Sequence, residues 1–207
     1  SALGVDELAV KYIGTSKGLS ILKGDQWDEF YGRETEEILS EYRISSIAIA
    51  QNGYIYAATE GGGISRFKYT DAISGATTFN LPWSSGLPSQ NVYAAITDGN
   101  AQWYGTDGGV AYHSTEKAKE DWTTYTRENG LICDTVYAIA KDPSGNVWFG
   151  THKGVSKLTG DKWQNYTVKE GLVDNKVNAI AIDTDRSVWF GTDHGISHFT
   201  ADGKWVN

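Results

Sequence analysis

The sequence predicts an all-β chain of five like units, each a four-stranded antiparallel meander. Three observations predict it. First, Val147-Trp148-Phe149-Gly150-Thr151 recurs identically as Val188-Trp189-Phe190-Gly191-Thr192. Weaker copies stand upstream as Lys11-Tyr12-Ile13-Gly14-Thr15, Ile55-Tyr56-Ala57-Ala58-Thr59 and Gln102-Trp103-Tyr104-Gly105-Thr106. Second, the threonines at 15, 59, 106, 151 and 192 are spaced by 44, 47, 45 and 41 residues. A period of this length marks propeller blades or helical solenoids. Third, no copy has apolar residues at three- and four-residue spacing over ten or more positions, as a helical solenoid needs. What remains is a five-bladed β-propeller, with blades about 1–40, 41–88, 89–132, 133–173 and 174–207 in a single domain.

The fourth copy shows the elements most clearly. Val136-Tyr137-Ala138-Ile139-Ala140 is a short apolar run, strand a. Asp142-Pro143-Ser144-Gly145-Asn146 is a turn, because proline fixes φ, glycine accepts positive φ and Asp and Asn bond their own backbone. Val147 to Thr151 is strand b, and Lys153-Gly154 turns the chain again. Val155-Ser156-Lys157-Leu158-Thr159 alternates apolar and polar residues, the period-two pattern of strand c. After Gly160-Asp161, the run Trp163 to Thr167 forms strand d, and Gly171-Leu172 leads into the next copy. Short strands rich in β-branched and aromatic residues, joined by turns of this length, form an antiparallel meander.

The terminal copies follow by alignment. Ser1 to Asp6 falls on Asn178 to Asp183, so the first blade opens within its strand a. Trp205 falls on Trp163, in the last strand d. The segment 34–43 is the one expected helical turn. Each strand b carries bulk on both faces, with Trp148 pointing one way and Phe149 the other. Radial stacking of blades covers both faces, so a closed ring is expected.

Composition bounds the function. A net charge of −8 without a basic cluster disfavours nucleic acid as a partner. No apolar run approaches the ~18 residues of a membrane-spanning helix, so no membrane insertion is expected. The single Cys133 precludes an intramolecular disulfide and reads as a small buried side chain. No nucleophile elbow, zinc-protease helix or phosphate loop is present. No catalytic residue, cofactor or metal is therefore assigned, and a monomer is expected.

The shared pattern reads Val-x-Ala-Ile-Ala-x-Asp-x-x-Gly-x-Val-Trp-Phe-Gly-Thr-x-x-Gly-Val-Ser, then an aromatic strand and Gly-Leu. It resembles the two-component regulator propeller repeat. The resemblance covers essentially the whole chain and is strongest in copies four and five. Copy two departs at Ala57-Ala58, and copy one has Ile38-Leu39 in place of Gly-Leu. It implies a bacterial sensor region outside the cytoplasm, periplasmic or secreted, of the kind found in hybrid sensor kinases of glycan-degrading gut bacteria. Such kinases carry many more repeats, further domains and a transmembrane helix. The present chain is thus expected to be either a stand-alone propeller or an excised piece.

In such blades the b–c turns and d–a connections share one face around the axis. The residues there vary between copies, whereas the Gly-Thr before them does not. The candidate ligand-binding residues are Glu60, Asp107, His152, Asp193 and His194 from the b–c turns, with Asn91 and Asn175 from the d–a loops. Trp83, off the repeat register, is a candidate sugar-stacking platform. Trp103, Trp148 and Trp189 at one register and Trp122, Trp163 and Trp205 at another are assigned to packing, as are His113 and His198. A mixed face of acids, amides and histidines suits a small polar ligand such as a carbohydrate, or a protein partner. Two other readings are a propeller hydrolase or lyase acting on glycans at an axial site, and a pure interaction scaffold.

Overall fold

The computed structural model describes residues 2–31, 39, 43–70, 73–79, 86–114 and 122–207. The expected helical turn at 34–43 lies almost wholly outside them. The described chain forms twenty strands in five four-stranded sheets. The first sheet holds β1 (Ala2–Val5), β2 (Lys11–Thr15), β3 (Gly18–Lys23) and β4 (Gln26–Tyr31). The second holds β5 (Ile44–Ile49), β6 (Ile55–Thr59), β7 (Gly63–Tyr69) and β8 (Ile73–Phe79), and the third β9 (Val92–Asp98), β10 (Ala101–Thr106), β11 (Val110–Ser114) and β12 (Trp122–Tyr125). The fourth holds β13 (Val136–Lys141), β14 (Val147–Thr151), β15 (Gly154–Thr159) and β16 (Lys162–Tyr166). The fifth holds β17 (Val177–Ile182), β18 (Val188–Thr192), β19 (Gly195–Phe199) and β20 (Trp205–Val206). Neighbours in sequence are neighbours in each sheet, and the pairings are antiparallel. These are propeller blades, and each falls in one of the five sequence intervals. The chain divides into two compact units, Ser1–Asp107 with Ala111–Thr124, and Gly108–Val110 with Tyr125–Asn207.

The Gly-Thr signature has a physical cause in each half. The threonine shapes the b–c turn. Thr151 Oγ1 donates to the Gly154 carbonyl at 2.8 Å and accepts the Lys153 N–H at 3.1 Å. Thr15 and Gly18, Thr59 and Gly63, and Thr192 and Gly195 repeat the first bond at 3.1, 3.0 and 2.8 Å. The turn glycine lies at positive φ, 136° at Gly154, where a side chain would be strained. The glycine before the threonine answers a different need. A Cβ on Gly150 would sit 2.9 Å from Val177 Cγ1, because strand a of the next blade packs directly on it.

The cores lie between blades. In the first unit, Tyr12, Leu19, Ile21, Ile44, Ile55 and Phe67 form one cluster, and Tyr56, Ile64, Val92 and Tyr104 belong to a second. In the second unit Trp148, Val155, Tyr166, Val177 and Phe190 interleave, and the Trp148 ring lies 5.7 Å from both Phe190 and Phe199. Trp148 is 2% exposed, as its register predicts. Trp189 departs from that expectation. It occupies the same register but is 40% exposed, and its ring stacks on His198 at 3.9 Å rather than on aromatics of another strand b. His113 behaves as a structural histidine, bonded to Gln102 at 3.0 Å and set against Trp122. Cys133 is free and buried.

Where it occurs, the Gly-Leu signature locks its connection to strand d of the next blade. Gly171, at φ 125°, would place a Cβ 2.6 Å from Trp205 Cγ, and Gly130 would place one 2.7 Å from Trp163 Cδ1. Before Gly130 comes a short 3-10 turn, Arg127–Asn129, that the strand pattern does not predict. Its signal is a capping box, Thr126-x-x-Asn129, with both reciprocal bonds formed.

Candidate binding face

Four of the five strands a carry a β-bulge at their start, and the bulges build the face. The pairing register shifts between Ile44 and Ser46, between Val136 and Ala138, and between Val177 and Ala179. In the third blade the shift falls opposite, between Gly105 and Thr106, which pair with Ala94 and Val92. The residues that the strand register skips are Ser45, Tyr93, Tyr137 and Asn178. A bulge re-aims a side chain that regular alternation would bury or point outward along the sheet.

In the second unit, two bulge residues meet the b–c turns that follow them. Tyr137 Oη lies 3.4 Å from His152 Nδ1. Asn178 Nδ2 donates to Asp193 Oδ1 at 2.6 Å, and Lys176 Nζ donates to Asp193 Oδ2 at 3.0 Å. The Lys176 ammonium also stands 5.8 Å from the centre of the Tyr137 ring, a cation–π distance. His194 Nδ1 is hydrogen-bonded to an Asp174 carboxylate oxygen. Six of these side chains (Tyr137, Lys176, Asn178, Asp193, His194 and His152) are at least partly open to solvent.

The electrostatics are one-directional. Hydrogen bonds from Asn178 and then Lys176 hold Asp193 below the usual carboxylate range. The Lys176 backbone N–H, and then the His194 bond, lower Asp174. Asp193 in turn raises Lys176. Near neutral pH the face therefore presents two ionised carboxylates and one ammonium.

The first unit carries a parallel arrangement. Glu60 pairs with Arg43 at 3.1 Å and forms an isolated antiparallel bridge with Asn91. Asn91 Nδ2 donates to Asp107 Oδ2 at 2.8 Å. The Gly61 and Gly63 N–H groups both bond the Gln90 carbonyl, at 3.2 and 2.9 Å, so the b–c turn of one blade rests on the d–a loop of the next.

Of the sequence candidates, Glu60, Asn91 and Asp107 thus come together in the first unit, and His152, Asp193 and His194 lie on the turns of the second. Asn175 is placed otherwise. Its Oδ1 accepts the Val168 N–H at 3.0 Å, as Asp134 accepts that of Arg127 at 2.8 Å, so it closes its own d–a loop. Trp83 lies outside the described residues. Lys176 and Asn178 were not among the candidates. The available signal was alignment: Asn178 stands where Tyr93 and Tyr137 stand, one residue beyond the loop. Among the described residues no three His, Cys, Asp or Glu side chains converge as a metal site, and no helix is long and apolar enough to cross a membrane.

Fold and face together define a β-propeller decorated at the b–c turn end. The family model described as two component regulator propeller matches two stretches of the chain, residues 130–153 and 171–194. No curated protein matches the sequence. Among solved structures, the extracellular domain of BT3049 from B. thetaiotaomicron, named as a hybrid two component system, is similar with a TM-score of 0.80 at 22% identity, over 100% of this chain and 27% of that one. The extracellular domain of BT4673 from the same organism gives 0.80 at 21%, over 100% and 30%. Virginiamycin B lyase from Staphylococcus aureus gives 0.59 at 14%, over 99% and 82%. The chain therefore spans less than a third of the length of the two B. thetaiotaomicron structures.

Proposed function

We propose that the chain is a non-enzymatic, sensor-type propeller that works outside the cytoplasm, in the periplasm or secreted, and binds a small polar ligand, a carbohydrate or a similarly hydroxyl-rich molecule. The observation that carries this reading is the network in which Asp193 accepts from Lys176 and Asn178 while the Lys176 ammonium stands near the Tyr137 ring. A carboxylate accepts hydroxyl hydrogen bonds, an ammonium and an amide donate them, and an aromatic ring offers an apolar face to a sugar. These groups are held in place by one another rather than by burial, so they are preorganised yet accessible. The extracellular neighbours of similar fold support the location.

The carboxylates favour binding over catalysis. Acid–base cleavage of a glycoside uses two carboxyls whose environments push their pKa values apart, one of them raised to act as acid. Asp174 and Asp193 are both lowered, so neither is poised as a proton donor.

A thermal-shift screen against mono- and oligosaccharides tests the reading. A ligand at 100 times its Kd stabilises by about 2.7 kcal/mol, which moves the midpoint of a chain this size by roughly 5–10 °C. A shift that vanishes in Lys176→Ala and Asp193→Ala supports the assignment. A flat screen contradicts it and favours a protein partner.

A further inference from the structure

The second blade departs from its fellows at two places, and the two departures meet in one pocket. The first is the a–b turn. In the first, fourth and fifth blades an aspartate opens this turn: Asp6, Asp142 and Asp183 each donate a backbone N–H to the carbonyl four residues on. In the second blade Ala50 makes the same bond, to the Tyr54 carbonyl at 2.9 Å. Asn52 takes over part of the missing carboxylate's role, its Oδ1 accepting the Tyr54 N–H at 3.2 Å. The second departure is the c–d hairpin. Leu22, Phe67 and Leu158 share one register, opposite Lys11, Ile55 and Val147. Beyond it the first and fourth blades add one pair, Lys23 with Gln26 and Thr159 with Lys162, whereas β7 and β8 run on to Tyr69 and Ile73.

The longer hairpin is anchored on the first blade. The Tyr69 hydroxyl donates to Asp28, the Tyr69 ring meets Tyr12 edge-on at 6.3 Å, and Lys23 Nζ donates to the Thr70 carbonyl at 2.8 Å. Between this hairpin, the Ala50 turn and the Asp6 turn lies a pocket of about 380 Å³, at the end of the blades remote from the b–c turns. Its walls carry opposite charges. The first blade contributes Asp6 and Glu7, and the second contributes Lys68. Asp6 is fixed by the Leu8 and Val10 N–H groups and the Tyr12 hydroxyl. Among the described residues neither Glu7 nor Lys68 is in an ion pair. Lys68 Nζ stands 4.4 Å from the centre of the Tyr54 ring, a contact that holds an ammonium without neutralising it. Leu8, Ile49 and Tyr69 add apolar surface.

We propose that this pocket is a second ligand site, for a small zwitterion with apolar side chains, of the size of a dipeptide. The volume falls at the low end of the range of small-molecule sites, about 300–1,000 Å³. The ligand's ammonium pairs with Glu7 beside Asp6, its carboxylate pairs with Lys68, and its side chains lie against Leu8, Ile49 and the Tyr69 ring. The charges select for both ends at once. A neutral sugar leaves Glu7 and Lys68 unanswered, a simple cation answers only the carboxylates, and a simple anion answers only the ammonium. Ala50 contributes by what it lacks, since an aspartate there, as in the other three turns, adds a further carboxylate to the wall.

The probe is the dipeptide Leu-Leu, titrated into the protein by calorimetry. Saturable binding is expected. Removing either ligand charge, as in N-acetyl-Leu-Leu or Leu-Leu amide, is expected to weaken it about tenfold or more, and so are Glu7→Gln and Lys68→Gln in the protein. Both side chains are at least partly open to solvent, so the two variants are expected to melt as the wild type does. Lys176→Ala is expected to leave the titration unchanged, which separates this pocket from the face around Lys176. Absence of saturable binding, binding indifferent to Glu7→Gln or to Lys68→Gln, or binding lost in Lys176→Ala overturns the proposal.

Discussion

Trp148 donates its indole N–H to Asp142 across 3.1 Å, tying the blade core to the turn that precedes it. The same carboxylate accepts the Ser144 and Asn146 backbone N–H groups at 2.9 and 3.0 Å, and the Asn146 amide at 2.7 Å. The first blade repeats the device with other residues. Asp6 accepts the Leu8 and Val10 N–H groups, each at 2.9 Å, and the Tyr12 hydroxyl at 2.9 Å. One carboxylate thus holds the a–b turn and satisfies the polar tip of a buried aromatic side chain.

Replacing Asp142 with alanine leaves a buried indole N–H without a partner and frees two turn amides. The expected cost is about 2–3 kcal/mol, read from urea unfolding. Burial opposes ionisation of Asp142, but the bonds from Asn146, Trp148 and Ser144 outweigh it and hold the carboxyl below its usual range. A depressed folded pKa means that the contribution is present above the ordinary carboxylate pKa and is lost as pH falls through the folded value. The stability gap between wild type and Asp142→Ala is therefore expected to narrow below about pH 4. A gap that stays constant into strong acid contradicts this assignment.

Gly150 is set by sterics alone, since its φ is not positive. A methyl group there meets Val177 Cγ1 at 2.9 Å and the Val177 carbonyl at 3.2 Å. Gly150→Ala is expected to cost about 1–3 kcal/mol, with each kcal/mol lowering Tm by roughly 2–4 °C. Ala58 stands at this register in the second blade, fully buried, so the change strains the packing without abolishing it. Calorimetric melting of the variant checks the value.

Thr151 and Thr192 make the same turn bond at 2.8 Å in different surroundings. Thr151 is fully buried and Thr192 is partly open. Valine at 151 removes a fully buried hydroxyl together with its bonds to the Gly154 carbonyl and the Lys153 N–H, at about 1–3 kcal/mol. Valine at 192 is expected to cost distinctly less, because water replaces the lost hydroxyl. Equal losses contradict a burial origin for the difference.

Much of the fold was legible because its signals are local and repeated. The Thr-x-x-Gly turn needs a hydroxyl and a positive-φ glycine at fixed spacing, so Thr151 and Gly154 announce the strand boundary without reference to the rest of the chain. The face was legible only in part. His152 and Asp193 follow from their place after the repeat threonine. Asn178 does not, because a bulge near the start of β17 turns it toward the b–c turn and leaves no mark in the apolar run, and Lys176, just before that strand, does not either. Asn175 shows polarity put to a local use: it accepts the Val168 N–H within its own loop. The exposure of Trp189 was equally hidden, since register predicts which way a ring points and not what covers it.

The central claim is tested most directly by following the backbone amides of the labelled protein by NMR during titration with a carbohydrate that stabilises it. Shifts concentrated at Tyr137, His152, Lys176, Asn178, Asp193 and His194 are the predicted result, and they should disappear in Lys176→Ala while the rest of the spectrum is unchanged. Shifts that bypass these six residues, or that survive Lys176→Ala at full size, would show that the ligand is read elsewhere on the propeller.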